Sequence, residues 1–395
     1  MLQKRVLLLG STGSIGDSTL QVVDNLSGRL RIAALAARCQ WEKLLEQVIR
    51  YEPDSVALGD PQAAEDLRRA LARRHLSRRP KVYGGAEGLV QLVRETEGDV
   101  VVGAISGAAG LPANIAALET GKDLALANKE SLVLSGAILT SLARQHGRRI
   151  LPVDSEHSAV FQSLLAGRRE EVDSIILTAS GGPFRRASLA QMQRATKADA
   201  LRHPTWVMGA KITVDSATLM NKALEIIEAR WLFDLPPEKI RVVVHPQSII
   251  HSIVEFHDGS MICQLGPPDM KIPIQYALTY PERLPLPVRK LNLEEVSMLT
   301  FEAPDPVRFP ALRLAYQVLR LGGTAPAVFN AANEVAVAAF LRDEISFVEI
   351  LGSVERTLRE HDVEDNPSLE ELLSADSWAR EAAARQLQPI TTRSR

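Results

Sequence analysis

Two short segments carry acidic side chains at spacings suited to metal binding. Asp154 and Glu156 directly follow an apolar run with strand character, and in an extended chain they would point the same way. Asn221 and Glu225 would lie one turn apart on one helix face. Carboxylates without Cys or clustered His favour Mg²⁺ or Mn²⁺ over zinc. Surface acids and helix caps produce the same pattern, so spacing alone leaves both interpretations open.

A glycine-rich segment, Gly10-Ser-Thr-Gly13-Ser-Ile-Gly16, follows the first predicted strand. Glycines at these positions allow a tight turn, close approach of a pyrophosphate to the backbone, and tight packing of the next helix. The free N–H groups and positive dipole end of that helix would face the anion. Its GxxGxxG spacing is a weak motif alone. The strand before it and the helix and second strand after it predict dinucleotide binding.

The residues after the second predicted strand favour NADPH over NADH. An NAD site usually has an acid about 20 residues after the glycines, but this chain has none between Arg31 and Glu42. Instead it has Arg38-Cys-Gln40, whose guanidinium suits a 2′-phosphate. The alternative is that Arg38 is an ordinary surface arginine.

Further polar residues could bind a phosphate. Ser180 lies in a glycine-rich turn after a predicted strand, and Ser216, Asn221 and Lys222 would add a hydroxyl, an amide and a charge. A loop with Trp206 at its centre, 203–209, is either a lid over a ligand or a loop anchored by a core Trp. We expect His245 and His251 to be hydrogen-bonding residues at strand ends, with a catalytic role as the less favoured alternative.

The elements that must position these residues change in type along the chain. Apolar runs at 6–9, 30–35, 55–58, 100–102, 124–126 and 150–153 alternate with helical segments such as 41–51 and 111–120. This alternation predicts an α/β domain with a Rossmann-like, doubly wound parallel sheet. Farther on, we expect strands at 174–178, 240–244 and 252–256 and helices at 217–233, 311–321, 330–342, 346–360 and 375–387.

Four regions follow from these patterns. We predict an NADPH-binding domain at 1–150, a central α+β catalytic domain at 151–284, a proline-rich linker at 285–310 and a C-terminal helical domain at 311–395.

Composition excludes several classes of protein. The 395 residues are 46% hydrophobic with a formal net charge of −2, which excludes a disordered chain and argues against nucleic-acid or polybasic membrane binding. Two cysteines cannot form a disulfide framework, and we expect neither a signal peptide nor a membrane span, because the apolar runs are too short for either. We therefore expect a cytoplasmic protein with no nucleic-acid or membrane partner.

Seven motifs together carry a resemblance to one family. They are GSTGSIG (10–16), ALANKES (125–131), PVDSEHS (152–158), ASGGPF (179–184), SATLMNKALE (216–225), VHPQS (244–248) and NAANEV (330–335). In order and phasing they resemble the 1-deoxy-D-xylulose 5-phosphate reductoisomerase family, from about residue 4 to the C-terminal helices. The resemblance implies three domains, a homodimer, NADPH, and Mg²⁺ or Mn²⁺, with Co²⁺ as a third candidate.

The resemblance also implies roles for individual residues. The metal ligands are Asp154, Glu156 and Glu225, which with Lys129 form the catalytic set. The residues implied to bind the phosphorylated sugar substrate are Lys129, Ser155, Glu156, Ser180, His203, Trp206, Ser216, Asn221, Lys222 and Glu225. The residues implied to bind the cofactor are Thr12, Gly13, Ser14, Ile15, Asn128, Glu130 and Gly209, and the segment after the second predicted strand adds Arg38 and Gln40 as candidates. Trp206 and Met208 match a closing flap.

The implied reaction rearranges 1-deoxy-D-xylulose 5-phosphate by fragmentation and re-addition and reduces the product to 2-C-methyl-D-erythritol 4-phosphate. One departure concerns the cofactor: the family usually has Gly, a basic residue and Asn where this chain has Arg38-Cys-Gln40. Two alternatives remain. A different NADP-dependent dehydrogenase, of a semialdehyde or hydroxy acid, would not explain the carboxylates, and a non-catalytic relative is supported only by the altered loop.

Overall fold

The computed structural model describes residues 3–206 and 208–387. The chain forms two compact units. The first comprises the described residues up to Ser131 together with Ala137–Phe161 and Asp269–Lys290, and the second comprises Leu132–Gly136, Gln162–Pro268 and the described residues from Leu291 onward. The domain boundaries expected from the sequence stay predictions.

The first unit contains a seven-stranded parallel sheet in the order β4-β3-β2-β1-β5-β6-β7. Its strands are β1 Lys4–Leu9, β2 Leu30–Ala37, β3 Ser55–Leu58, β4 Lys81–Gly84, β5 Val100–Gly103, β6 Asp123–Leu126 and β7 Ile150–Pro152. The chain adds strands on one side of β1 and then on the other, which confirms the predicted doubly wound α/β sheet. Strand β4 was missed because it is an edge strand with little buried surface.

Helices follow the strands of this sheet along the chain. They are α1 Ser14–Asn25, α2 Trp41–Tyr51, α3 Pro61–Ala72, α4 Gly85–Glu95, α5 Leu111–Glu119, α6 Lys129–Gln145 and α7 Ser155–Ser163. Helix α2 matches its predicted range. Leu44 and Val48, one turn apart, are both buried on the side of α2 that faces the core.

The second unit contains a four-stranded sheet in the order β11-β10-β8-β9. Its strands are β8 Val172–Ala179, β9 Ile240–Val244, β10 Ile250–Phe256 and β11 Met261–Leu265. Strand β10 pairs antiparallel with β8 and β11, whereas β8 and β9 are parallel. Sequence patterns missed β11, an edge strand with the exposed residues Met261 and Ile262.

The remaining helices are α8 Leu189–Gln193, α9 Lys197–Ala200, α10 Ala210–Ala217, α11 Met220–Phe233, α12 Lys271–Thr279, α13 Leu293–Val296, α14 Ala311–Leu321, α15 Ala325–Leu341, α16 Phe347–Glu360 and α17 Leu369–Leu387. The predicted helix over 217–233 is wrong at its start, because Leu219 has a left-handed backbone with φ 58° and separates α10 from α11. Across the described residues, every helix is too short or too polar to cross a membrane.

Candidate active site

The glycine-rich turn between β1 and α1 needs two of its glycines for steric reasons. Gly10 has φ +90°, and a Cβ there would overlap the carbonyl oxygen of Ala104. A Cβ on Gly16 would overlap the carbonyl oxygen of Ser11. At Gly13, by contrast, the nearest atom would be 3.6 Å away. Close packing therefore demands Gly10 and Gly16, whereas a Cβ at Gly13 would make only an ordinary van der Waals contact with the Gly10 carbonyl oxygen.

The glycine-rich turn leads into the N-terminus of α1. Gly13 is the N-cap residue in an extended conformation, and no side chain of the described residues caps the first turn. The turn also follows β1 at the point where the strand order reverses between β1 and β5, which is where open α/β sheets bind ligands. The free N–H groups at such a helix start fit a pyrophosphate.

Helix α2 braces this turn through two side chains that sequence reasoning missed. Gln47 is buried; its Nε2 donates to the Ser11 carbonyl at 3.0 Å, and its Oε1 accepts from Ser11 Oγ at 2.7 Å. Lys43 Nζ donates to the Thr12 carbonyl at 3.0 Å and lies 2.8 Å from Asp17. The sequence signal that could have identified Gln47 is an amide side chain on the buried side of an amphipathic helix.

Arg38 and Gln40 are both exposed, just past the carboxyl end of β2. The Arg38 guanidinium makes neither a hydrogen bond nor an ion pair with the described residues. Arg38 lies close to the glycine-rich turn in the chain path, because the Ala36 carbonyl, two residues before it, accepts from the N–H groups of both Gly10 and Ser11. Its guanidinium could therefore bind an anionic group of a ligand held at that turn.

The start of α6 holds three buried candidate residues, Asn128, Lys129 and Glu130. Asn128 caps the helix by accepting from Ser131 N at 3.0 Å, and its Nδ2 donates to Glu130 at 2.6 Å. Lys129 is 6% exposed, and its Nζ lies 2.8 Å from Asp154 Oδ2. The ANKES segment thereby presents an amide, a cation and a carboxylate on the first turn of one helix.

Asp154 and Glu156 lie at a helix start, so the prediction that they share one side of an extended strand is wrong. Strand β7 ends at Pro152, and the Asp154 carbonyl accepts from Ser158 N at 2.8 Å, which starts α7. Ser155 Oγ donates to Glu156 at 2.6 Å. Asp is favoured just before a helix because its side chain can cap free N–H groups.

In the second unit, His203 joins two serines that are far apart in sequence. Its Nε2 lies 3.0 Å from Ser180 Oγ and 3.1 Å from Ser216 Oγ. Its Nδ1 accepts from the backbone N–H groups of Thr205 and Trp206 at 3.2 and 2.9 Å. Because Nδ1 is an acceptor, the neutral ring carries its proton on Nε2. Burial lowers the pKa of His203, which favours this neutral form.

Helix α11 brings Asn221, Lys222 and Glu225 together, and the predicted one-turn spacing is confirmed. Asn221 Nδ2 donates to Glu225 Oε1 at 2.6 Å, and Lys222 Nζ donates to Oε2. Lys222 is 3% and Glu225 0% exposed. The carboxylate offers oxygen atoms that suit a hard divalent cation, and Lys222 balances its charge.

The loop before α10 places Trp206 half-buried, with its ring centroid 6.3 Å from that of His251. Met208 is half-buried and Gly209 is exposed as the N-cap residue of α10. Burial lowers the pKa of His251 to about 4. His245 hydrogen-bonds the Thr300 carbonyl through Nδ1 at 2.9 Å, which confirms its expected strand-end role.

Three family models match the chain. Residues 6–136 match 1-deoxy-D-xylulose 5-phosphate reductoisomerase, residues 150–233 match the C-terminal domain of that family, and residues 265–382 match the DXP reductoisomerase C-terminal domain.

Curated relatives and solved structures agree with these matches. The chain is 53% identical to the 1-deoxy-D-xylulose 5-phosphate reductoisomerase of Chlorobaculum tepidum, over 96% of this chain and 98% of that protein. It is also 53% identical to the enzyme of Geobacter metallireducens, over 96% of this chain and 97% of that protein. The Zymomonas mobilis enzyme in complex with NADPH is 44% identical, with 98% and 100% covered and a TM-score of 0.91. A DOX-P reductoisomerase in complex with NADPH, fosmidomycin and magnesium is 40% identical, with 97% and 98% covered and a TM-score of 0.91.

Proposed function

The chain belongs to the 1-deoxy-D-xylulose 5-phosphate reductoisomerase family, and we propose how its own residues perform that family's reaction. It is an NADP-dependent oxidoreductase of non-mevalonate isoprenoid synthesis, which rearranges and reduces 1-deoxy-D-xylulose 5-phosphate to 2-C-methyl-D-erythritol 4-phosphate with NADPH and a divalent metal. The observation that carries our assignment of roles is the His203 network with Ser180 and Ser216, because it gathers hydrogen-bond donors for a phosphate within one unit.

We propose that Ser180, His203 and Ser216, with Asn221 and Lys222, bind the substrate phosphate. The neutral His203 ring presents its Nε2–H, and the two serine hydroxyls can turn from the imidazole to the phosphate oxygens. Lys222 supplies the positive charge. These residues break no bond; they hold the far end of the substrate so that its reacting carbons stay in place.

We propose Asp154, Glu156 and Glu225 as the ligands of Mg²⁺ or Mn²⁺. When bound, such an ion supplies Lewis-acid polarisation of the substrate's carbonyl and adjacent hydroxyl oxygens. The all-oxygen donor set fits this ion class. Lys129 is paired with Asp154, so its ammonium would orient that carboxylate beside the reacting carbons, while Ser155 would bind the substrate next to it.

We propose that the cofactor binds along the carboxyl edge of the parallel sheet. Thr12, Gly13, Ser14 and Ile15 would surround the pyrophosphate at the start of α1, with the 2′-phosphate bound by Arg38 and Gln40. NADPH, when bound, supplies the electrons for the reduction. Asn128 and Glu130 are proposed to orient its nicotinamide end, and Gly209 is proposed as a further contact with the cofactor. Trp206 and Met208 would close over the site and exclude water.

The test is NADPH oxidation by the purified protein with 1-deoxy-D-xylulose 5-phosphate and Mn²⁺, alongside a matched sample in EDTA. We expect consumption of NADPH that requires both substrate and metal, with NADH a much poorer reductant. No oxidation with either cofactor, despite retained NADPH binding, would contradict this function and leave a non-catalytic relative.

We also propose that the protein is a cytoplasmic homodimer. The edge strand β11 exposes Met261 and Ile262, 52% and 38% accessible, and an unpaired apolar edge is a surface that a second copy can cover. Both cysteines, Cys39 and Cys263, are free thiols, as a reducing compartment maintains. Light scattering after size exclusion should give twice the 43.2 kDa chain mass, and a monomer would contradict the dimer.

A further inference from the structure

Asn333, in the middle of α15, reaches the helix that carries Ser216. It is 0% exposed, and its Nδ2 donates to Asp215 Oδ1 at 2.8 Å. Asp215 is itself buried on α10, where Lys211 Nζ lies 3.0 Å from its other carboxylate oxygen. The Asn333 Oδ1 finds no partner among the described residues. Its contact with Asp215 is therefore what orients the Asn333 amide.

Helix α10 depends on such contacts for its position. It spans only Ala210–Ala217, and isolated helices of this length are unstable in water. It begins directly after Gly209 of the Trp206 loop and ends one residue after Ser216, before the left-handed Leu219. A rotation of α10 about its axis would therefore move the Ser216 hydroxyl away from His203 Nε2, which lies 3.1 Å from it.

We propose that Asn333 is a positioning residue for the substrate phosphate. By holding the buried Asp215 carboxylate it sets the rotation of α10, and thereby the place of the Ser216 hydroxyl beside His203. Helix α15 thus has a role in substrate affinity as well as in stability. This inference rests on the proposed function in one respect, because it takes Ser216 to be a phosphate contact.

The same helix offers a matched control. Asn330 lies about one turn before Asn333, is also 0% exposed, and donates its Nδ2 to Glu334 of its own helix at 3.1 Å. Asn330→Ala therefore removes a buried amide of equal size from α15 whose Nδ2 hydrogen bond goes to its own helix and not to Asp215. Any general effect of loosening α15 appears in both variants, whereas the positioning effect appears only in Asn333→Ala.

The experiment compares steady-state kinetics and melting temperature of the two variants in the full-length enzyme. We expect Asn333→Ala to raise the KM for 1-deoxy-D-xylulose 5-phosphate about tenfold, since a hydrogen bond to a buried carboxylate is lost. Its KM for NADPH should stay the same, and its kcat should change far less than the substrate KM. Asn330→Ala should lower the melting temperature similarly and leave both KM values unchanged. Equal changes of substrate KM in the two variants, or none in Asn333→Ala, would overturn the proposal.

A second measurement needs no substrate. In ¹⁵N-histidine-labelled protein, with the His203 signal identified by its loss in a His203→Gln variant, we expect the Nε2 resonance of His203 to move in Asn333→Ala and to stay in place in Asn330→Ala. If the wild type failed to oxidise NADPH but the His203 resonance still moved only in Asn333→Ala, the proposed function would be refuted. The role of Asn333 in positioning Ser216 would nevertheless be supported. An unmoved His203 resonance in Asn333→Ala would overturn the positioning role itself.

Discussion

Replacing Glu225 by glutamine should separate metal-dependent chemistry from cofactor binding. Glu225 is 0% exposed, accepts from Asn221 at 2.6 Å and is paired with Lys222, which is 3% exposed. Glutamine keeps the size and one accepting oxygen but removes the charge. The variant therefore tests whether this side chain is needed as a carboxylate.

Two separate costs follow from that change. Removing one partner of a buried ion pair lowers the free energy of unfolding by about 3–5 kcal/mol. We expect the lower end of this range because the glutamine Oε1 can still accept from Lys222. Metal polarisation is worth several kcal/mol in the transition state. A loss of about 4 kcal/mol corresponds to a fall of roughly 10³-fold in kcat/KM.

The assay follows NADPH oxidation with saturating 1-deoxy-D-xylulose 5-phosphate across a range of Mn²⁺ concentrations, with NADPH affinity measured separately by fluorescence. Glu225→Gln should bind NADPH as the wild type does, because the proposed cofactor residues on the glycine-rich turn are unchanged. A melting curve measures the stability loss independently of turnover.

Glu255→Gln is the matched control. Glu255 belongs to the same unit and accepts from Ser174 at 2.9 Å and Arg241 at 3.0 Å, but it is on β10 and has no proposed role in catalysis. Its amide variant should keep wild-type kcat/KM. Full metal-dependent turnover in Glu225→Gln would refute the assignment of this carboxylate as a metal ligand, whatever its effect on stability.

Three further predictions concern the cofactor turn, the 2′-phosphate and a buried histidine. Gly16→Ala should lower the free energy of unfolding by about 1–3 kcal/mol, since its Cβ would overlap the Ser11 carbonyl. Gly13→Ala should have the melting temperature of the wild type but bind NADPH more weakly, and an unchanged NADPH affinity would contradict this. Arg38→Ala should raise the KM for NADPH far more than that for NADH, and equal effects would remove its role. His251 should titrate with a pKa of about 4 by NMR. Because this value is below the unfolded pKa of about 6.5, its contribution to stability should fall by about 1.4 kcal/mol per pH unit as pH drops from 6.5 towards 4; a midpoint near 6.5 would show that His251 is not desolvated.

Much of the fold follows from local sequence patterns. Continuous apolar runs predict the buried strands of a parallel sheet, and β3 at Ser55–Leu58 has its predicted bounds. The 3.6-residue period likewise predicts α2 and the Asn221–Glu225 contact, because both depend on residues one turn apart. The edge strands β4 and β11 were not predicted, because an edge strand does not need a continuous run of buried apolar residues.

Other features depend on residues that are distant in sequence. The motif around Asp154 is compatible with a strand or a helix start, and the structure places it at the start of α7. The bond from Gln47 to Ser11 and the network of Ser180, His203 and Ser216 are set by packing between separate elements. Residue types and the local period in which they recur can be read directly along the chain. Which distant residues come into contact is visible only in the folded protein, because such a contact depends on the packing of every element between them.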